Sequence, residues 1–63
     1  MFAIYELIPI TDPTKQVRDW AFQDGKTVEK RLLCTRRHRE DAEKETSSRQ
    51  KATTNEVYYQ EIP

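Results

Sequence analysis

Apolar residues follow one another almost without a break in Phe2–Ile8, and Pro9 ends the run. The run is rich in aromatic and β-branched residues, and its only charged residue is Glu6. A short run with apolar side chains at successive positions is typical of a strand buried on both faces. We therefore predict a central strand here. A turn should follow in Thr11–Thr14, where a proline fixes φ and an aspartate offers a side-chain acceptor.

The residues from 13 to 23 fit two patterns. Asp12 as N-cap with Pro13 in the first turn would begin a helix. Against the helix stands the dipeptide Asp24-Gly25, which is the strongest short-range signal for a hairpin. A two-residue turn there would pair the flanking segments so that one face carries Val17, Ala21, Val28 and Leu32, and the other carries Trp20, Phe22, Thr27 and Leu33. Because apolar residues would then meet on both faces, the hairpin is favoured, with the helix as the alternative.

A helix is predicted from Arg36 to about Lys51, with Thr35 as its N-cap. The segment contains no glycine and no proline, and Thr46 is its only β-branched residue. The positions that would face a sheet are few and mostly small or polar: His38, Ala42, Thr46 and Arg49. Thr53–Asn55 then ends the helix, and the alternating residues of Val57–Ile62 predict a last strand.

The predicted order is strand, strand, strand, helix, strand, in a single domain spanning residues 1–63. The fold class is α+β: a small, mostly antiparallel four-stranded sheet with one helix packed on one face. A right-handed crossover through the helix would set the last strand parallel to the third, most simply beside the first. The other face would be bare, and we expect it to carry apolar side chains that a second copy or a protein partner could cover. These candidate interface residues are Trp20, Phe22 and Leu33.

The composition limits how much core this chain can form. It has 63 residues, of which 35% are hydrophobic and 35% are charged, and a chain this short buries only about 60% of its unfolded surface. Cys34 is the only cysteine, so no internal disulfide can brace the fold. The N-terminus lacks the basic lead-in of a signal peptide, and no stretch is long and apolar enough to span a membrane. We therefore expect a cytoplasmic protein with a small core and no membrane partner.

Residues that could carry out catalysis are scarce. Cys34 and His38 stand four positions apart and would form a thiolate–imidazole pair only if the helix began early enough. A thiol in an apolar run more often packs as a small hydrophobic group. Gly25 is the only glycine and is needed for the turn, so there is no glycine-rich loop for a phosphate. Two ligands are also too few for a closed zinc site. We expect no enzyme activity, no metal site and no cofactor.

Charge is unevenly distributed, although 11 basic residues cancel 11 acidic ones. Residues 26–39 include six basic residues and one acidic residue, Glu29. Three arginines would occupy the first helical turn, where the helix dipole favours acids. Pairing at i,i+4 with Glu40, Asp41 and Glu43 would offset this only weakly. Arginines beside free helix N–H groups suit an anion. The candidate partner-binding or anion-binding residues are Lys30, Arg31, Arg36, Arg37, His38 and Arg39.

These observations predict a small non-enzymatic protein-binding module that acts as a regulator, inhibitor or adaptor. Its partner would be another protein with an acidic patch, or a second copy of the chain as a homodimer. The alternative is weak binding to the phosphate backbone of a nucleic acid through the basic start of the helix. The isoelectric point near 6.6 makes nucleic acid the less favoured partner. Phage genomes are a frequent source of stand-alone chains of this kind.

Overall fold

The computed structural model describes residues 1–12 and 14–63. Within them five elements follow in the predicted order: β1 (Phe2–Pro9), β2 (Trp20–Gln23), β3 (Lys26–Arg36), α1 (Arg39–Lys51) and β4 (Glu56–Glu61). The strands form one sheet in the order β2-β3-β1-β4, with every neighbouring pair antiparallel. α1 packs on β4, β1 and β3. The predicted α+β fold is confirmed, and β4 lies beside β1 and runs parallel to β3.

The β2–β3 hairpin turns at Asp24 and Gly25, whose φ angles are 52° and 77°. Two successive positive φ values define a type I′ turn, which suits the twist of paired strands and which glycine adopts without strain. Ala21 lies opposite Val28, as the hairpin hypothesis requires. The alternative helix over residues 13–23 is wrong for the described part of that stretch, because residues 14–19 form neither helix nor strand and Trp20–Gln23 is a strand.

The segment between β1 and β2 crosses from one side of β3 to the other. Both strands run antiparallel to β3 and lie on either side of it, so the chain must pass over or around that strand. Val17 belongs to this connection, and its predicted pairing with Leu32 is wrong. A turn begins the connection, with Lys15 N donating to the Asp12 carbonyl at 3.1 Å. Pro13, which was predicted to fix this turn or to begin a helix, lies outside the described residues.

A β-bulge in β3 directs two successive side chains toward the core. Ile4 pairs with Cys34, but the next residue of β1, Tyr5, pairs with Leu32. Leu33 is therefore an extra residue, and it packs with Cys34 against the core cluster under the helix. An alternating strand would have placed Leu33 on the opposite face. The prediction that Leu33 lies exposed on the bare face is thus wrong: the residue is half-buried, on the helix side.

The core is small and centres on β1. Ile4 is fully buried, and it clusters with Phe2, with Val57 of β4 and with Ala42 of α1. Ala42 is also completely buried, and its small side chain lets the helix backbone lie close to the sheet. Phe2 and Tyr59 meet edge to face, with ring centroids 5.9 Å apart.

The helix starts later than predicted. β3 continues to Arg36, and α1 begins at Arg39 with His38 as its N-cap residue, without a side-chain capping bond. Thr35 is not the N-cap, because it pairs with Ala3 as part of the sheet. Strand pairing with β1 outweighs the capping preference of a threonine there, since extending β3 to Arg36 adds a further pair to the ladder.

The predicted i,i+4 pairs between arginines 36, 37 and 39 and the acids at 40, 41 and 43 do not form among the described residues. Arg36 instead pairs with Glu45 of α1, with Nη2 2.6 Å from Oε1. The other oxygen of Glu45 accepts from Arg49 Nε at 2.8 Å. One carboxylate therefore joins the end of β3 to the middle of the helix.

The end of the helix is fixed to the sheet by two polar side chains. Gln50 accepts a hydrogen bond from Val57 N at 2.9 Å and donates to the Asn55 carbonyl at 2.7 Å. Glu6 of β1 accepts from Asn55 Nδ2 at 2.9 Å and from Thr53 Oγ1 at 3.2 Å. These bonds hold the short α1–β4 connection in place, so β4 enters the sheet in a single register.

We expect Ile4→Val to destabilise the protein by about 0.5–1.5 kcal/mol, because it removes one methylene from a fully buried site. Urea unfolding followed by far-UV circular dichroism measures this loss. Leu32→Val is the matched control, because Leu32 is 55% exposed, and it should change stability by less than about 0.5 kcal/mol. Equal losses in the two variants would contradict the core described above.

Candidate functional site

Two aromatic side chains stand exposed on β2, and we call them the aromatic edge: Trp20, 55% exposed, and Phe22, 82% exposed. Their exposure agrees with the prediction, but their face does not. Trp20 lies opposite Glu29, which in turn lies opposite Ile8 of β1. Ile8 is on the same face of β1 as Ile4, which packs under the helix. Alternation along the strands therefore places both aromatic side chains on the face that carries the helix. They stay exposed because α1 packs on the other three strands.

The outer edge of β2 presents backbone groups from the same two residues. Hydrogen-bonded pairs alternate along an antiparallel ladder, and Lys30 N donates to the Asp19 carbonyl at 3.0 Å. Asp19, Ala21 and Gln23 therefore turn their backbone groups toward β3, whereas Trp20 and Phe22 turn theirs outward. Trp20 N–H donates to Asp19 Oδ1 at 2.9 Å. The outward groups of Phe22 have no partner among the described residues.

The opposite edge of the sheet is covered where β4 begins. Val57 N of β4 points outward and donates to the side chain of Gln50, so α1 overhangs this strand. A shallow groove between them is narrowed where Tyr59 Oη donates to Glu43 Oε1 at 3.0 Å. That hydrogen bond, followed by burial and the negative charge, raises the pKa of Tyr59. β4 is therefore covered at Val57, whereas β2 is not among the strands on which α1 packs.

The predicted basic cluster divides into two groups. Lys30 and Arg31 lie in the middle of β3, roughly 16 Å along the strand from its end. Lys30 Nζ sits 4.3 Å from the centroid of the Tyr5 ring. Arg31 pairs with Glu29 at 3.1 Å. These two residues face opposite sides of the sheet and do not share a surface with the residues at the start of the helix.

Three of the predicted residues come together at the start of the helix, and we call them the basic end: Arg37, His38 and Arg39. All three are exposed, and none forms an ion pair with another described residue. Arg39 lies over the Phe2 ring at 5.6 Å. Arg36 is excluded from this group because Glu45 holds its guanidinium.

Two carboxylates hold cations tightly enough to shift their titration. Burial acts to raise the pKa of Glu45, but hydrogen bonds from Arg36 and Arg49 outweigh it and leave that pKa below its ordinary value. The pKa of Glu29 is also lowered, first by the hydrogen bond from Arg31 and further by Lys15, whose Nζ lies 3.3 Å away. Lys15 thereby ties the long β1–β2 connection to β3.

The candidate thiolate–imidazole pair and candidate metal ligands do not come together in the described part of the chain. Cys34 is half-buried against the core, and His38 lies exposed beyond the end of β3, so the two do not share a helical face. No three cysteine, histidine or acidic residues among residues 1–12 and 14–63 lie close enough to hold a metal ion. No helix described here has the length and apolarity to cross a membrane.

We expect the free energy of unfolding to decrease as the pH falls from about 7 to about 3. The decrease should be smaller for Glu45→Gln than for the wild type. A carboxyl whose pKa is lowered on folding adds stability that is fully present above its ordinary value of 4.5 and disappears as the pH falls through the lowered value. Urea midpoints across this range give the comparison. Glu56→Gln, at an exposed position of β4 that forms no ion pair with another described residue, is the control and should follow the wild type. Identical slopes for Glu45→Gln and wild type would contradict the bridge.

Comparison with known proteins adds no relative to this picture. No protein-family model, no curated protein and no solved structure matches the chain. Function must therefore be argued from the two surfaces themselves: an apolar edge with free backbone groups, and a small cationic surface at the far end of β3.

Proposed function

We propose that this chain is a small non-enzymatic protein-binding module, which acts as a regulator, inhibitor or adaptor through the aromatic edge. The observation that carries the proposal is the exposure of Phe22 and Trp20 on a strand with outward backbone groups. A folded protein with so small a core gains stability from every aromatic it buries, yet these two stay in water. Exposed apolar patches beside polar surroundings mark interaction sites.

The physical contribution of such a surface has two parts. Burying apolar area is favourable by roughly 25 cal/mol per Å², and aromatic residues, tryptophan above all, dominate the binding energy of most interfaces. A strand added to the free edge would also pair with the outward backbone groups of Trp20 and Phe22, as in strand addition by peptide-binding domains. Affinity would then come from the rings and the ladder together.

The basic end supports a partner that is acidic where it reaches the helix. Arg37 and Arg39 are exposed guanidiniums at the positive end of α1, and neither forms an ion pair with another described residue. Charges at the rim of an interface steer association and select partners more than they add affinity. The basic end would therefore influence the association rate, and the aromatic edge the dissociation rate.

We expect Phe22→Thr to abolish or strongly weaken capture of protein partners from a cell extract by the tagged chain. Threonine keeps the preference for a strand, so the change removes the ring and leaves the hairpin. Capture followed by mass spectrometry gives the readout. Leu32→Thr is the matched control: Leu32 is as exposed as Trp20 but lies on the other face, and its removal should leave capture unchanged. Equal capture by Phe22→Thr and wild type would remove the aromatic edge from the proposal.

Weak binding to nucleic acid is the second candidate, and the unpaired cations of the basic end are what favours it. With two or three phosphate contacts, affinity for DNA or RNA should fall roughly 10- to 40-fold between about 50 and 200 mM salt. Arg37→Ala should reduce the slope of log affinity against log salt by about 1. Fluorescence anisotropy with a labelled oligonucleotide measures both values. No binding at low salt would end this candidate.

A further inference from the structure

We propose that the occupant of the aromatic edge is a second copy of this chain, paired antiparallel through β2 about a two-fold axis that passes beside Ala21. The two sheets would then form one continuous eight-stranded sheet. The inference rests on the proposed function, because it assigns a partner to the surface on which that function depends. Symmetry, hydrogen-bond direction and charge each support it.

Symmetry restricts how β2 can pair with itself. Two antiparallel strands in one sheet are related by an axis perpendicular to the sheet, which keeps each side chain on its own face. Directly opposite residues must therefore share a face, so the axis has to pass a residue rather than the bond between two residues. An axis at Ala21 uses both outward residues of the four-residue strand, whereas an axis at Phe22 would set Trp20 opposite the turn residue Asp24.

The direction of the backbone groups fits this register. With the axis at Ala21, Trp20 lies opposite Phe22 of the partner subunit, and these are the residues whose N–H and C=O groups point outward. Each of the two symmetric pairs exchanges two bonds, so four hydrogen bonds form in total. In the free chain Asp19 Oδ1 holds the Trp20 N–H. In the dimer, the Phe22 carbonyl of the partner subunit would accept from the Trp20 N–H in place of Asp19. The outward N–H and C=O groups of Phe22 would gain hydrogen bonds without giving up an existing one.

The side chains are complementary as well. Trp20 and Phe22 lie on one face, so each ring meets a ring of the other kind across the interface, and aromatic cross-strand pairs are among the favourable ones. Both helices lie on this same face, so the four rings would lie on the sheet surface between the two helices. Beyond the ends of the paired strands, the bend residue Arg18 would come near the oppositely charged turn residue Asp24 of the partner subunit. No two like charges stand opposite each other from residue 18 to residue 24 in this register.

The size of the patch predicts a reversible dimer. At about 150–250 Å² for each aromatic side chain, the exposed parts of four rings amount to roughly 500 Å². Stable interfaces bury about 1,200–2,000 Å² in total, so backbone and flanking residues must supply the rest. We therefore expect a monomer at low concentration and a dimer at high concentration.

Sedimentation and light scattering from low micromolar to millimolar protein test the assembly. The weight-average mass should rise from 7.5 kDa toward twice that value, and Phe22→Lys should shift the transition to at least tenfold higher concentration. Leu32→Lys, on the other face, should leave the transition unchanged. A wild type that stays monomeric at millimolar concentration overturns the proposal, as does an unchanged transition in Phe22→Lys.

A disulfide tests the register. In a Cys34→Ala background, which removes the only native thiol, Ala21→Cys should oxidise to a covalent dimer, because non-hydrogen-bonded partners across the axis have Cα atoms about 4.5 Å apart. Gln23→Cys is the control, because Gln23 would lie opposite Asp19 of the partner subunit and its thiols would stay apart. Circular dichroism confirms that both variants fold. Cross-linking of Gln23→Cys as fast as Ala21→Cys overturns the register.

Failure of this inference and failure of the proposed function give different results. A wild type that is monomeric at every concentration, together with loss of extract capture in Phe22→Thr, overturns the dimer and leaves the protein-binding function standing with another partner. A concentration-dependent dimer whose capture of other proteins is indifferent to Phe22→Thr supports the dimer and overturns the binding of other partners through this edge.

Discussion

The whole molecule depends on β1 being paired along both of its edges. Seven hydrophobic residues are buried in the part of the chain that the structure describes, and this strand supplies four of them: Phe2, Ala3, Ile4 and Leu7. Because the rest of the chain is highly charged, this apolar run is the segment around which a hydrophobic core can form. β3 and β4 are held against it by their ladders, and α1 covers it where Ala42 allows a close approach. The other features of the fold follow from keeping this one strand out of water.

One consequence is the uneven use of the helix. α1 must lie over Ile4 and Val57, which places it toward β4 and leaves β2 beyond its reach. The bulge at Leu33 helps this arrangement, because it turns an extra apolar side chain toward the helix instead of toward the opposite face of the sheet. No comparable device operates at β2. The exposure of Trp20 and Phe22 is therefore a direct result of where the small core had to be placed.

The elements that could be predicted are those whose signals are local. Asp24-Gly25 specifies its own turn, because both residues adopt positive φ angles. The apolar run of β1 and the helix, which lacks glycine and proline, can be recognised from local composition alone. The start of α1 could not be predicted in the same way. Thr35 suits an N-cap and a strand equally, and the choice is made by its pairing with Ala3, more than thirty positions away. The bulge at Leu33 likewise could not be predicted, because it results from the register between β3 and β1. That register depends on the facing strand and cannot be recognised in the local sequence pattern.

For the same physical reason, only part of the candidate site can be predicted from the sequence. Arg36 was grouped with its neighbours, because the sequence gives no sign that Glu45 would reach it; the pair exists only once β3 extends to Arg36 and turns it toward the helix. The exposure of the aromatic edge was foreseen, but not its face, since the face depends on pairing through Glu29 to Ile8.

The two outer strands differ in a way that bears on function. Unused sheet edges are usually blunted by lysine, proline or a covering element. β4 follows this rule, because Gln50 takes up the outward N–H of Val57 and the helix overhangs the strand. β2 has neither lysine nor proline, and its sole protection is the contact of Asp19 with one N–H group. A sheet that has one edge partly covered by a helix and two exposed aromatic rings on the other edge has the asymmetry expected of a sheet that continues into a partner on the β2 side.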